Sequence, residues 1–300
     1  EKIDRTVAAI SGAVLMIITN VLTLDKAISH IDFNTIGVLI GMMIVVSIVK
    51  NSGLFEYIAI YTAKKSKGNP WRIMIYFILI TAVLSALLDN VTTVLLVGPM
   101  TIVICQILNV NPIPFLMTEI IASNVGGTST LIGDPPNIMI GSAANLSFSD
   151  FIINLGPIVI IILISIIICF KIIYKKDISN MANEACITSL DEEKAIQDKS
   201  LLYKSICVLF LILLGFIFHS KLNIESSIIA LSGACIMLII GKQDANEIIS
   251  SVEWSTIIFF VGLFIVVGGL SECGVIDSLA QLLINLTKGN TTYTMCIILW

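Results

Sequence analysis

From Ile73 to Phe170 the sequence contains no Lys, Arg or His, and that stretch constrains the fold more than any other feature. A run so long and so apolar belongs in lipid, where backbone N–H and C=O groups must be satisfied internally. Yet its middle, from Ser123 through Asn137, is polar and glycine-rich and closes with Pro135-Pro136-Asn137. A helix cannot run unbroken through Gly126-Gly127 and then Pro135-Pro136. Broken backbone at membrane depth is tolerated only where it is buried in protein or lines a cavity. Transporters use such breaks to build ion and substrate sites. The charges within the stretch are all acidic: Asp89, Glu119, Asp134 and Asp150.

Composition fixes the class. The chain is 57% hydrophobic and 13% charged, against about 25% charged in soluble domains. Continuous apolar runs, without ten-residue alternation, predict an all-α polytopic membrane protein and argue against a β-barrel. No basic run suggests nucleic acid. The seven cysteines are scattered, with no CxxC, and read as small buried hydrophobes. The first spans are expected at Thr6–Leu24 and Phe33–Val49, separated by a polar link over Asp25–Asp32. Leu54–Ala63 reads as a short interfacial helix. Lys64, Lys65, Lys67 and Arg72 beside Trp71 mark a cytoplasmic surface. Ile73–Leu88 and Val91–Leu108 follow, the latter with an expected kink at Gly98-Pro99. The pattern divides the chain into first-repeat scaffold helices (1–69) and half of a transport domain (70–148). That half contains a hairpin tip (89–93) and a broken helix (113–146). A span (149–173), a cytoplasmic link (174–200), another span (201–221) and an incomplete second repeat (222–300) complete it.

The repeat shows in the residues themselves. Shifting the chain by 221 positions lays Ala9 to Asn69 on Ala230 to Asn290 with 19 identities in 61 positions and no gap. Among them are Gly12 on Gly233, Gly41 on Gly262, Gly53 on Gly274, and Lys67-Gly68-Asn69 on Lys288-Gly289-Asn290. An odd number of crossings between the copies inverts the second, and the loss of Lys64, Lys65 and Arg72 to Asn285, Leu286 and Tyr293 agrees with that. Inverted repeats place a transporter's site at the repeat interface. The counterpart of Asp89 falls near position 310, so the sequence is expected to be an internal piece of a chain of at least about 390 residues.

Two segments can carry chemistry. Asp89-Asn90-Val91-Thr92-Thr93 follows sixteen uncharged residues. An ionised Asp at that depth must be neutralised by a cation, a proton or a basic partner, unless Asp89 only caps the next helix. The second segment offers Ser123, Asn124, Gly126, Gly127, Thr128, Thr130, Asp134 and Asn137. Their carbonyls, hydroxyls and carboxylate suit a cation, while the helix starts after Asp89 and Asp134 suit an anion. Asp134 reads equally as a helix cap before Pro135. Glu119 is either a candidate proton carrier facing the site or an acid satisfied by a neighbouring helix. His30, His219, Trp71 and Trp254 read as interfacial, and Gly12, Gly37 and Gly41 as close packing.

Asp89-Asn90-Val91-Thr92-Thr93, the segment from Ser123 to Asn137 and the repeat together resemble the ArsB/NhaD permease group of the ion transporter superfamily, closest to its branch containing the melanosomal P protein. The resemblance implies a scaffold plus a transport domain of re-entrant hairpins and broken helices, homodimers, and elevator-type movement as in the more distant divalent-anion/sodium symporters. It implies a site formed or shaped by Asn90, Thr93, Asn124, Gly126, Thr128 and Asn137, with Asp89 and Asp134 as its titratable or cation-binding members. Where those symporters have Ser-Asn-Thr at the tip, this chain has Asp89, Asn90 and Val91, which favours proton or cation involvement over dicarboxylate binding. The expected function is secondary active transport of a small, anionic solute, coupled to Na⁺ or H⁺. A candidate Na⁺ position lies at Asp89, Asn90, Asn124 and Gly126. No enzymatic activity, resident metal or other cofactor is expected, and the expected location is the plasma (inner) membrane. The alternatives are a Na⁺/H⁺ antiporter or a metalloid exporter, and, in another class, a passive channel. An aspartyl protease fits poorly, because Leu88 and Leu131 stand where its motifs need Tyr and Gly.

Overall fold

Capping side chains set most of the helix starts. Asp4 accepts from the Thr6 N–H and starts α1 (Arg5–Ile18), and Thr23 starts α2 (Leu24–Ser29). Asp32 accepts from the Asn34 and Thr35 N–H groups before α3 (Phe33–Asn51). Gly53, at φ +83°, makes the left-handed turn into α4 (Leu54–Lys65). Asn69 and Asp89 cap α5 (Pro70–Leu87) and α6 (Asn90–Leu108). Then come α7 (Ile113–Gly127) and α8 (Pro135–Ala144). A capping box at Ser147 and Asp150 opens α9 (Phe148–Ile173). A 3₁₀ turn at Glu192–Ala195 precedes α10 (Lys199–Leu222), α11 (Ser226–Gly241), α12 (Ala245–Ser250), α13 (Trp254–Glu272), α14 (Val275–Thr287) and α15 (Thr291–Leu299). This computed structural model describes residues 4–144, 146–175, 192–287 and 290–299, which are all helix, turn or irregular chain. Six of the helices, α3, α5, α6, α9, α10 and α13, are long and apolar enough to cross a bilayer. The protein is a multi-pass membrane protein.

Several boundaries differ from expectation, each for a local reason. The expected first span over Thr6–Leu24 stops at Ile18, where the Thr19 hydroxyl donates to the Leu15 carbonyl and Asn20 turns to φ +56°. Most of the expected polar link over Asp25–Asp32 is α2, because Thr23 caps it. Pro99 lies inside a helix that remains one element. Gly126 and Gly127 are helical, and the break begins one residue later. Most of the expected cytoplasmic link, residues 176–191, lies outside the described residues.

The chain forms two compact units, one made of Glu1–Ile36 with Glu253–Trp300 and the other of Gly37–Val252. In the first, α1 runs parallel to α13. The Thr6 hydroxyl donates to the Ser255 carbonyl at 3.1 Å. Further along, a methyl on Gly262 would stand 2.8 Å from the Ala9 carbonyl carbon, and one on Gly12 would meet Val266 at 3.0 Å. The α2 side chain Lys26 pairs with Glu272 at 2.6 Å.

In the second unit α3 runs parallel to α11. A methyl on Gly37 would meet Ser227 at 2.7 Å, and one on Gly41 would meet the Ala230 carbonyl carbon at 2.6 Å. Glycine at these positions lets backbones approach that closely. The core of this unit joins Ala59, Met74, Phe77, Ile78, Ile104 and Phe115 with Ala122 of α7 and Val159 and Leu163 of α9. The 3₁₀ turn is held by the Lys64–Glu192 ion pair and by the Gln197 N–H on the Ser52 carbonyl at 3.1 Å.

The repeat is written into the element boundaries. Adding 221 to the first residues of α1, α2, α3, α4 and α5 gives the first residues of α11, α12, α13, α14 and α15. The packing contacts also exchange under the shift. Gly41 against Ala230 becomes Gly262 against Ala9, and the Ser47–Ser251 hydrogen bond of 2.7 Å becomes the contact of Gly268 with His30. Asp32 bonded to the Thr35 hydroxyl becomes Glu253 bonded to the Thr256 hydroxyl. Each unit thus holds an equivalent pair of parallel helices, one from each copy of the repeat.

Candidate functional site

Helices α5 and α7 lie side by side and run the same way. Ile78 and Ala122 share the buried core, Gly126 abuts Ala82, and Thr130 bonds to Ala86, all at a 44-residue offset. The same offset carries the end of α7 to the turn that follows α5. The two interruptions of the apolar run, Leu88-Asp89 and Thr128–Asp134, therefore meet within one unit.

Small residues make the meeting possible. A methyl on Gly126 would stand 2.3 Å from the Ala82 carbonyl oxygen. One on Gly127 would be 2.6 Å from the Gly133 carbonyl oxygen, and one on Gly133 2.6 Å from that of Ser85. Contacts so short leave no room for a side chain. Buried hydroxyls and one amide then stitch the joint. Ser85 Oγ donates to the Ser123 carbonyl at 2.6 Å, and Thr130 Oγ1 to the Ala86 carbonyl at 2.5 Å. Thr130 Oγ1 also accepts from the Gly133 N–H at 3.1 Å. Asn137 reaches back from α8 and donates to the carbonyls of Gly127 at 3.2 Å and Thr130 at 2.9 Å. The carbonyls that a broken helix leaves open are thus closed by side chains.

This geometry sorts the residues singled out in the sequence. Ser123, Gly126, Gly127, Thr130 and Asn137 are buried and belong to the joint. Thr93 is buried too, and its hydroxyl donates to the Asp89 carbonyl at 2.8 Å. Asn90, Asn124, Thr128, Asp89 and Asp134 keep accessible surface. Asn90 Nδ2 donates to Asn124 Oδ1 at 2.9 Å, which ties α6 to α7 across the two breaks. Thr128 Oγ1 donates to the Val125 carbonyl.

Asp89 is a cap: one carboxylate oxygen accepts from the Thr92 N–H at 2.8 Å and the other from the Thr92 hydroxyl at 2.5 Å. Asp134 stands just before α8, half-buried, with no hydrogen bond on its carboxylate among the described residues. It lies close enough to Asp89 for the two charges to interact. Glu119 stands apart from this group, fully buried beside Thr101 of α6. Sequence reasoning missed Ser85, Thr101 and the Ala82 and Ala86 carbonyls. Small or hydroxylated residues recurring within the apolar run were the available signal.

Chemically, the accessible set offers two carboxylates, two amides and a hydroxyl at the meeting of two helix starts. Carboxylate and amide oxygens suit a hard cation, and the N-terminal ends of α6 and α8 suit an anion. Among the described residues no three His, Cys, Asp or Glu are grouped to hold a metal. A cation here would draw on amide and backbone oxygens beside the two acids.

Comparison with known proteins converges on one group. The family model described as "Citrate transporter" (CitMHS) matches residues 1–300. An uncharacterised transporter of Mycobacterium tuberculosis is 43% identical over 303 residues, covering 100% of this chain and 71% of that protein. The 46 kDa membrane protein of Mycobacterium leprae is 42% identical over 304 residues, with the same coverage. The P protein of Sus scrofa is 30% identical over 359 residues, covering 94% of this chain and 42% of its own. The chain thus belongs to the CitMHS citrate transporter family, within the ArsB/NhaD-like ion transporters.

Proposed function

We propose that this chain belongs to a secondary active transporter that moves a small anion, coupled to Na⁺ or H⁺, through a site built where the two breaks meet. The observation that carries the reading is the joint itself. Two interruptions in a charge-poor, apolar chain are brought together, stitched internally, and left with Asp89, Asn90, Asn124, Thr128 and Asp134 accessible. A purely structural membrane protein has no need of such an arrangement at membrane depth. The family description favours a carboxylate such as citrate as the anion, seated on the starts of α6 and α8, with the cation or proton at Asp89 and Asp134.

The repeat supports an inverted, two-fold architecture. Because α1 parallels α13, the counterpart of α3, a chain whose successive spans alternate in direction carries its second copy inverted. The second copy's hairpin tip would then supply the other half of the site, near position 310 by the 221-residue offset. Elevator movement and homodimerisation are carried over from the resemblance to the divalent-anion/sodium symporters. The acid-only composition of the accessible set favours one second reading, cation/proton antiport, in which no anion binds.

The test is transport by the complete protein in liposomes. Citrate uptake is measured while Na⁺ is exchanged for an inert cation and pH is varied, with Asp89→Asn beside wild type. Uptake driven by an ion gradient and lost in Asp89→Asn is expected. Cation/proton exchange without citrate uptake would support antiport, and ion-independent flux that survives Asp89→Asn would indicate a passive pathway.

A further inference from the structure

Of the four acids in the charge-poor stretch, Asp89 and Asp134 belong to the accessible set and Asp150 caps α9, which leaves Glu119. Glu119 sits on α7 with none of its surface exposed. It is four residues after Phe115 and three before Ala122, both of which belong to the buried apolar core, so helical spacing turns it into that core. Its Oε1 accepts from Thr101 Oγ1 of α6 at 2.5 Å. Its Oε2 is buried and meets no hydrogen-bond partner among the described residues. No Lys, Arg or His within the described ion pairs reaches it.

The elements packed on α7 offer no counter-charge. On α6 the nearest titratable group is the Cys105 thiol, close enough to sense the Glu119 charge. On α5 the titratable groups are Arg72, at its first turn, and Tyr76, neither of them among the residues that helix buries. On α9, Asp150 stands in the first turn and Lys171 in the last, and Cys169 is exposed. A carboxylate held by one hydroxyl, with its second oxygen bare and no cation beside it, is costly at membrane depth. A carboxylic acid in the same place is neutral, and its O–H occupies the oxygen that no donor reaches.

We propose that Glu119 is a second, separate proton-binding site, loaded in this conformation, and that it exchanges its proton only when α6 and α7 part enough to admit water. Thr101 Oγ1 then keeps its bond to Oε1 while the proton on Oε2 passes to water and leaves a carboxylate. The role of this proton in coupling rests on the transport reading above; the site itself does not. Asp89 and Asp134 remain available for substrate or cation, so proton and solute occupy different places.

The experiment uses the full-length protein. Infrared spectra are recorded in lipid nanodiscs from acid to alkaline pH, for wild type, Asp89→Asn and Glu119→Gln. A carbonyl-stretch band of a protonated carboxylic acid is expected in wild type near neutral pH, kept in Asp89→Asn and lost in Glu119→Gln. Gln keeps a carbonyl for Thr101 and fills the same volume, and its thermal unfolding checks that it folds. A spectrum in which Glu119→Gln removes no such band overturns the site. In liposomes carrying an internal pH indicator, with citrate as the probe, Glu119→Gln is expected to lower the protons taken up per citrate below the wild-type value. The wild-type value in Glu119→Gln overturns the coupling role. If wild type takes up citrate without protons, the coupling role alone fails; if it takes up no citrate, the coupling role and the transport reading fail together; in both cases the infrared result still decides the site.

Discussion

At the scale of single residues, Asp89 carries two duties that substitution can separate. Its carboxylate caps α6 through Thr92, and it is the proposed ion-binding group beside Asp134. Asparagine caps about as well as aspartate, and loss of a cap costs about 1 kcal/mol. Asp89→Asn should therefore melt near wild type in detergent yet lose ion-coupled uptake, while Asp89→Ala should lose both uptake and about 1 kcal/mol of stability. Equal uptake by Asp89→Asn and wild type would reduce Asp89 to a cap. Asn137 is the contrasting case. Its amide closes two carbonyls across the break, and Asn137→Ala leaves both open in a buried place at about 1–3 kcal/mol each. A large fall in thermal stability is expected, and an unchanged melting temperature would show that the clamp is dispensable. The residue types in the polar stretch showed that a site was there. They could not show that Asn137 faces inward to the joint and Asn124 outward, because an Asn reads the same in either place.

Between elements, the α5–α7 contact decides whether the breaks meet. Gly126 is helical and needs no unusual backbone angle. It is required because the Ala82 carbonyl oxygen stands 2.3 Å from where its Cβ would be. Gly126→Val must push the helices apart, at about 1–3 kcal/mol from overpacking. It should also pull Thr130 from Ala86, so substrate affinity should fall along with stability. A variant with full affinity would show that the joint tolerates separation. The pair Gly41 and Gly262 gives a second expectation at this scale. They occupy equivalent positions against Ala230 and Ala9, so Gly41→Leu and Gly262→Leu should lower thermal stability by similar amounts. A loss in one only would mean that the exchanged contacts differ in energy. The helices themselves were legible from apolar runs and from the cap signal at Asp89. The end of α1 at Ile18 was not, since the sequence through Leu24 stays uncharged and only the Thr19 and Asn20 turn closes the helix.

For the whole molecule, the proposed inversion makes a prediction about sides of the membrane. Lys65 and Leu286 are equivalent under the 221-residue shift, and both side chains are exposed. In a background lacking native cysteines, Lys65→Cys and Leu286→Cys in the complete protein should react with a membrane-impermeant thiol reagent from opposite sides. Labelling of both from one side would rule out inversion. By itself the sequence determined the solvent this chain folds in, the helical class, the repeat and the two interruptions. Those follow from hydrophobicity, proline and glycine chemistry and periodicity, which act along the chain. Only the tertiary structure decided that the interruptions meet, which polar groups seal the joint, which stay open, and that Glu119 is walled into apolar packing. Those outcomes depend on which atoms of different helices come within about 3 Å of each other, the range of a hydrogen bond, and no single segment encodes that distance.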